Sequence, residues 1–268
     1  MIDSIYFYLP QILIGSIVGI STAGIGVLVL LRKGIFMGIT LSQAITVALI
    51  ITLILEIHNE ILILILGILF FLPVYFLYNK IEFKEAILAS GFVFYAALGQ
   101  ILTALGANVQ NHIVIAYFGN ILLIPSKEWL HILVLLLVVY ILFIIFYKKI
   151  LAISFDLHYS KIIKMNVLLV EIIYFLILTA ILTMSIYYMG SFYSIAHLVI
   201  PSLIAITIAR NMISAFLLSS LISLISTMLG FTISLWQIQI QNQNINLPTS
   251  STIILVMSLF LIVLLKKK

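Results

Sequence analysis

The feature that most limits what this chain can become is an apolar stretch that keeps returning. Residues 10–31, 37–55, 61–78, 86–105, 129–147, 167–187, 192–209, 212–236 and 250–265 are all strongly hydrophobic. An α-helix needs about 20 apolar residues to cross the hydrocarbon of a bilayer. The stretches are continuous rather than alternating, so they do not read as strands of a membrane barrel. Charged residues make up 8% of the chain, against roughly 25% in soluble domains. The sequence therefore predicts an all-α polytopic membrane protein with about nine transmembrane helices, one domain over residues 1–268, and no room for a sizeable soluble domain. The opening MIDSIYFYLP lacks a basic n-region and a small-residue cleavage site, so it reads as part of the mature protein rather than a signal peptide.

Basic residues supply the orientation. Arg32-Lys33, Lys80 and Lys84, the lysines of 148–164, Arg210 and the terminal lysines of 266–268 all follow odd-numbered stretches, and Lys127 alone does not. Positive residues stay in the cytoplasm. The pattern thus predicts an external N-terminus, a first helix running outside to inside, and a cytoplasmic C-terminus. The competing counts are eight or ten spans, depending on residues 113–126, a piece too short to span that is either interfacial or re-entrant. The net charge of +5 belongs to these flanks, so no nucleic-acid partner is expected. The absence of cysteine excludes disulfides and thiolate metal sites.

Polar groups inside the spans carry the functional information, because an unpaired one is costly in hydrocarbon. The second span holds Ser42, Gln43 and Thr46. The fourth holds Gln100 and Thr103, three residues apart. Gln43, Thr46 and Gln100 either bond across helices or line a pathway. The seventh holds Tyr193, Ser194 and His197 on one face, ahead of Pro201. His197 is the only histidine deep in a span, with structural bonding and a substrate or proton role both open to it. The eighth carries a stripe of Ser219, Ser223, Ser226, Thr227 and Gly230, which reads as close helix packing, as do Gly15, Gly19 and Ala23 in the first. His58, His112 and His131 lie near the outer boundary and could collect a metal through imidazole.

No helix carries HExxH, and no P-loop sequence is present, so any ATP hydrolysis falls to a partner. Ser194 and His197 share one helix and suggest no oxyanion arrangement, so no catalytic residues are expected. Between the fifth and sixth spans, about residues 150–166, SFDLHYSKIIK offers Ser154 or Asp156 as a helix cap, with Leu157, Ile162 and Ile163 as apolar contacts. It reads either as a docking element for a soluble partner or as a connector.

Five motifs now stand in order: VLVLLRKGIFMGITLSQAI near the start, AYFGNILLIPSKEW before the fifth span, ISFDLHYSKIIKMNV after it, MGSFYSIAHLVIPSLIAITIAR in the seventh, and NLPTSSTIILVMSLFLIVLL at the end. In this order and spacing the chain resembles the membrane permeases of the manganese/zinc/iron importers among ATP-binding-cassette transporters. The resemblance implies location in the cytoplasmic (inner) membrane of a bacterium, surrounded by lipid. It implies a homodimer or a pair of related permeases, two cytoplasmic ATP-binding subunits and an extracytoplasmic metal-binding protein. The cargo it implies is a divalent metal, with no covalent cofactor. Within residues 150–166, Ser154, Phe155, Asp156, His158 and Lys161 would belong to the segment that docks on the ATPase.

The family's second span typically reads GDALSHA, placing an Asp and a His on one helix face as metal ligands. Here it reads GITLSQA, with Ile39 at the Asp position and Gln43 at the His position. Isoleucine cannot ligate a metal, and glutamine offers one neutral oxygen. His197 stands where the family has an apolar residue. The substrate pathway expected from these residues comprises Gln43, Thr46, Gln100 and His197, with Gln43 and His197 facing one cavity.

Overall fold

A computed structural model of the chain describes residues 7–57, 59–104, 116–119, 129–236, 238–240, 243–245 and 247–265. His58, His112, Lys127, the terminal lysines and most of 113–126 lie outside the described residues. The helices are α1 (Leu9–Leu31), α2 (Ile35–Ile54), α3 (Glu60–Lys80), α4 (Lys84–Ala104), α5 (Trp129–Phe155), α6 (Leu157–Ile162), α7 (Val167–Met189), α8 (Ser191–Ile208), α9 (Met212–Ser234) and α10 (Thr249–Leu265). Eight of them are long and apolar enough to cross a membrane. The ninth expected span, α10, is a helix of 17 residues, at the short limit for crossing. The chain is a multi-pass membrane protein.

Local chemistry ends and starts these helices. At the α1–α2 turn Lys33 adopts a positive φ of 55°, and the Gly34 N–H reaches back to Val29 O at 2.8 Å. Asn59 caps α3, accepting from the N–H groups of Ile61 and Leu62. Asn166 caps α7 through Leu169 N–H, and Asn211 with Ser214 forms a reciprocal capping box on α9. These side chains satisfy N–H groups that a helix start leaves open.

Two regions depart from the sequence reading. The fifth span was expected to end at 147, but α5 runs on to Phe155. Lys148 and Lys149 are exposed on its surface, and Lys149 Nζ lies over the Phe146 ring, 5.4 Å from its centroid. Long basic side chains can cover apolar surface while keeping the charge in water, so two lysines did not stop the helix. The Gln/Asn-rich loop after α9 contains an antiparallel pair, β1 (Ile238–Ile240) with β2 (Gln243–Ile245).

The bundle packs as two groups, bridged by α7 and by contacts between α2 and α8. α1 packs against α8 and α9, and α10 covers α8 and α9; α2 packs against α3 and α4. α7 touches both groups, meeting α1, α2, α3, α5 and α8. Glycines permit the closest crossings. A Cβ on Gly26 of α1 would stand 2.1 Å from Leu198 O of α8, and one on Gly230 of α9 would stand 2.4 Å from Ile253 Cα of α10. The small-residue faces expected in the first and eighth spans are therefore contact faces, where missing side chains let backbones approach. α3, α4 and α5 lie at the periphery and expose Ile65, Phe76, Phe94, Leu137 and Ile144.

At one end of the bundle, Arg32 ties three helices together. Its Nη1 and Nη2 donate to the Glu171 carboxylate at 3.0 and 2.5 Å, and its Nε donates to Ser154 Oγ at 2.9 Å. The guanidinium lies over the Tyr174 ring, 4.1 Å from its centroid. Paired hydrogen bonds use the planar fork of arginine in a way lysine cannot reproduce. Arg32→Ala should destabilise the chain by roughly 1–3 kcal/mol, discounted for the partial exposure of Glu171. Unfolding in detergent should show Arg32→Ala and Glu171→Gln together costing less than their sum; strict additivity would mean that the pair is not coupled.

Candidate functional site

The buried polar residues of α2 form a cluster whose hydroxyl hydrogens are already committed. Ser42 Oγ donates to Gly38 O at 2.9 Å and Thr46 Oγ1 to Ser42 O at 2.7 Å. Donation to the preceding turn satisfies a hydroxyl without leaving the helix, and it leaves the oxygen lone pairs facing outward. Between them, Gln43 is 1% exposed. Its Nε2 donates to Ser191 Oγ of α8 at 3.2 Å, while its buried Oε1 has no hydrogen-bond partner among the described residues. The cluster is thus rich in acceptors and short of donors, an arrangement that suits a cation. Ile39, half-buried one turn earlier on the same face, adds no ligand.

Ser191 was not singled out from the sequence. It opens α8 directly after Gly190, and the corner between α7 and α8 is buried throughout. Gly190 has φ 86° and ψ 162°, a conformation essentially confined to glycine. Gly119 presses against it: a Cβ on Gly119 would stand 1.9 Å from Met189 O, and one on Gly190 would stand 2.3 Å from Gly119 N. Phe118 and Tyr117 pack on Phe192, with ring centroids 5.1 and 5.8 Å apart. The described part of the AYFGN motif therefore covers the corner that presents Ser191 to Gln43.

The expected cavity shared by Gln43 and His197 is not formed. His197 sits on α8 six residues beyond Ser191, about 9 Å along the axis, and its contacts are with α1 and α9. Its Nδ1 lies 3.1 Å from Tyr193 O, and its Nε2 lies 3.1 Å from Thr227 Oγ1. A carbonyl can only accept, so Nδ1 carries a proton, and Nε2 lies against the Thr227 hydroxyl, which is also placed to donate to Ser223 O at 2.9 Å. The imidazole stacks on Tyr193, centroids 3.9 Å apart, and a Cβ on Gly19 would stand 2.7 Å from its Cδ2. Tyr193 in turn donates to Gly15 O at 2.9 Å. Gly19, expected to face a neighbouring helix, makes room for this histidine, and Gly15 accepts from the tyrosine stacked on it.

Ser194 Oγ lies 2.7 Å from Ser185 Oγ and 2.8 Å from Gly190 O. Both His197 nitrogens are engaged elsewhere, so the two residues do not form a nucleophile and base. Gln100 stands on the exposed side of α4, and Thr103 is buried. Gln43, Thr46, Gln100 and His197 therefore occupy three distinct settings.

The segment after α5 carries a different kind of site. Asp156 Oδ1 accepts from the N–H groups of His158 and Tyr159 at 2.8 and 3.0 Å, capping α6. Ser154 accepts from Arg32, as described above, and donates to Ile150 O. His158 and Lys161 are exposed. So are Phe155 (62%), Tyr159 (57%) and Ile162 (77%), with Leu157 and Ile163 beside them. Behind it, a cavity of about 780 Å³ opens between α3 and α7, lined by Arg32, Tyr75, Tyr78, Glu171 and Phe175.

Comparison with known proteins agrees with this architecture. The chain is 29% identical over 235 residues to the manganese transport system membrane protein MntC of Listeria innocua, covering 85% of this chain and 82% of that protein. It is 27% identical over 263 residues to the manganese import system permease protein ScaB of Streptococcus gordonii, covering 96% and 90%. Among solved structures, PsaBC from Streptococcus pneumoniae in complex with Fab superposes with a TM-score of 0.84 at 22% identity, over 98% of this chain and 93% of that one. The sequence profile of the ABC 3 transport family matches residues 4–267, and the chain belongs to that family.

Proposed function

We propose that this chain is the permease subunit of an ABC importer that moves a divalent metal ion, manganese in the first instance, into a bacterial cell. Kinship with permeases named for manganese transport and import supports the cargo. The observation that carries the subunit's role is α6, a short capped helix that, with Phe155 at the end of α5, presents Tyr159 and Ile162 beyond the spans. Large apolar side chains grouped on such a surface call for a partner, and a cytoplasmic ATP-binding subunit fits. In this reading the Arg32 end faces the cytoplasm, as the positive residues require. An extracytoplasmic binding protein delivers the ion to the opposite end, and a second permease copy, identical or related, completes the membrane unit.

Within the permease, the acceptor cluster of Ser42, Gln43 and Thr46 is the stretch of path that accommodates the ion. Its oxygens are neutral, so an ion is held weakly and can move on. The loss of any charge at Ile39 and Gln43 favours a second reading, in which the cargo is a metal complex whose charge is already neutralised. Uptake of free Mn²⁺ against chelated metal separates the two.

Ile162→Asp should leave the chain in the membrane and abolish its co-purification with the ATP-binding subunit; undiminished association would remove α6 from that role. Gln43→Ala should lower ATP-driven Mn²⁺ uptake about tenfold, the scale seen when a metal-site partner is removed. Uptake equal to the wild type would exclude Gln43 from the path.

A further inference from the structure

At the end of the bundle opposite Arg32, three helix ends bring together a carboxylate, an imidazole and a phenol. Glu60 is the first residue of α3, His131 lies in the first turn of α5 and Tyr188 in the last turn of α7. We propose that Glu60, His131 and the Tyr188 hydroxyl form an entry site for a divalent metal cation.

The geometry carries this assignment. The Tyr188 hydroxyl donates to Glu60 Oε1, which fixes the carboxylate and leaves Oε2 turned to His131. His131 Nδ1 lies 3.7 Å from that oxygen, too far for a hydrogen bond. Two donors each about 2.1 Å from one tetrahedral ion stand about 3.4 Å apart, so a single cation seats between them after a small closure. Side-chain exposure divides the labour: Glu60 is 13% exposed and held in place, whereas His131 is 59% exposed and free to swing. One anchored ligand and one mobile ligand let an ion both arrive and leave.

Charge points the same way. Among the described residues, Glu56 and Glu60 lie at this end, and every Lys and Arg belongs to a turn or helix end on the Arg32 side. Such an asymmetry draws cations toward this face. A carboxylate oxygen with one imidazole suits Mn²⁺ or Zn²⁺, and the Tyr188 hydroxyl orients the carboxylate. Among the described residues no third His, Cys, Asp or Glu joins the pair, so water completes the coordination and binding is weak, as an entry point requires. The inference rests on the permease reading only for the ion's destination. Binding is measured on this chain alone, so its failure leaves that reading untouched.

The test is a Mn²⁺ titration of the full chain in detergent, followed by electron paramagnetic resonance with Zn²⁺ as competitor. Glu60→Gln, which keeps the acceptor for Tyr188, and His131→Asn should each weaken Mn²⁺ binding about tenfold or more. Glu85→Gln, on the exposed first turn of α4, should not. Thermal unfolding checks that each variant is folded, and Glu60→Gln suffices if His131→Asn is not. Equal affinity in the wild type and the folded variants overturns the proposal, as does the absence of saturable binding by the wild type; His131 and Glu60 are then an ordinary ion pair.

Discussion

Hydrocarbon offers no water to a polar side chain, so each buried hydroxyl, amide and imidazole in this bundle depends on the protein for a partner. Three solutions recur. Serines and threonines such as Ser42, Thr46, Thr179 and Ser202 donate to a carbonyl of their own preceding turn. His197 is held by bonds within α8 and to α9 and is seated against a glycine of α1. Arg32 spreads its charge over a carboxylate, a hydroxyl and an aromatic face. Gln43 departs from these, as do Ser16, Thr183, Ser223, Ser226 and Ser250: its amide nitrogen donates to Ser191 and, among the described residues, its carbonyl oxygen is left open. An unpaired buried acceptor is expensive, and under the proposed function it lies on the ion's path.

These arrangements lie on connected elements. The Arg32 turn leads directly into α2, the helix that carries Gln43. The same arginine holds Ser154, two residues before the aspartate that caps α6. Under the proposed function, a displacement of α6 reaches α2 through one hydrogen-bonded residue. At the other end of α7, the Gly190 corner holds Ser191 against Gln43 and is itself covered by the turn ending at Gly119.

Much of the architecture was legible in the sequence, because apolar length and basic flanks are local properties. Among the described residues, eight helices long and apolar enough to cross a membrane, and the shorter α10, fall close to where the hydropathy placed them, and the Gly15–Gly19 and Ser219–Gly230 faces were readable from their spacing. α5 outran its expected end because lysine's aliphatic stem tolerates a helix surface. The site was harder to read. Gln43, Ile39 and the α6 segment stood out by residue type, but Ser191, the partner of Gln43, is 148 residues away in the chain. Glu171, the partner of Arg32, is 139 away. Nothing local marks such pairs. His197 was misassigned to the Gln43 cavity for the same reason: a wheel of one helix shows that the imidazole is buried, but not which neighbour it faces.

If the neutral oxygens around Gln43 serve a divalent metal in an ATP-driven permease, ATP hydrolysis responds to that metal. The most direct measurement is ATP hydrolysis by the purified complex of this chain with its ATP-binding subunit, reconstituted in lipid, as Mn²⁺, Zn²⁺ or Fe²⁺ is supplied with the binding protein. The account predicts that Mn²⁺ raises the rate above the metal-free level. Hydrolysis indifferent to all three metals would contradict it.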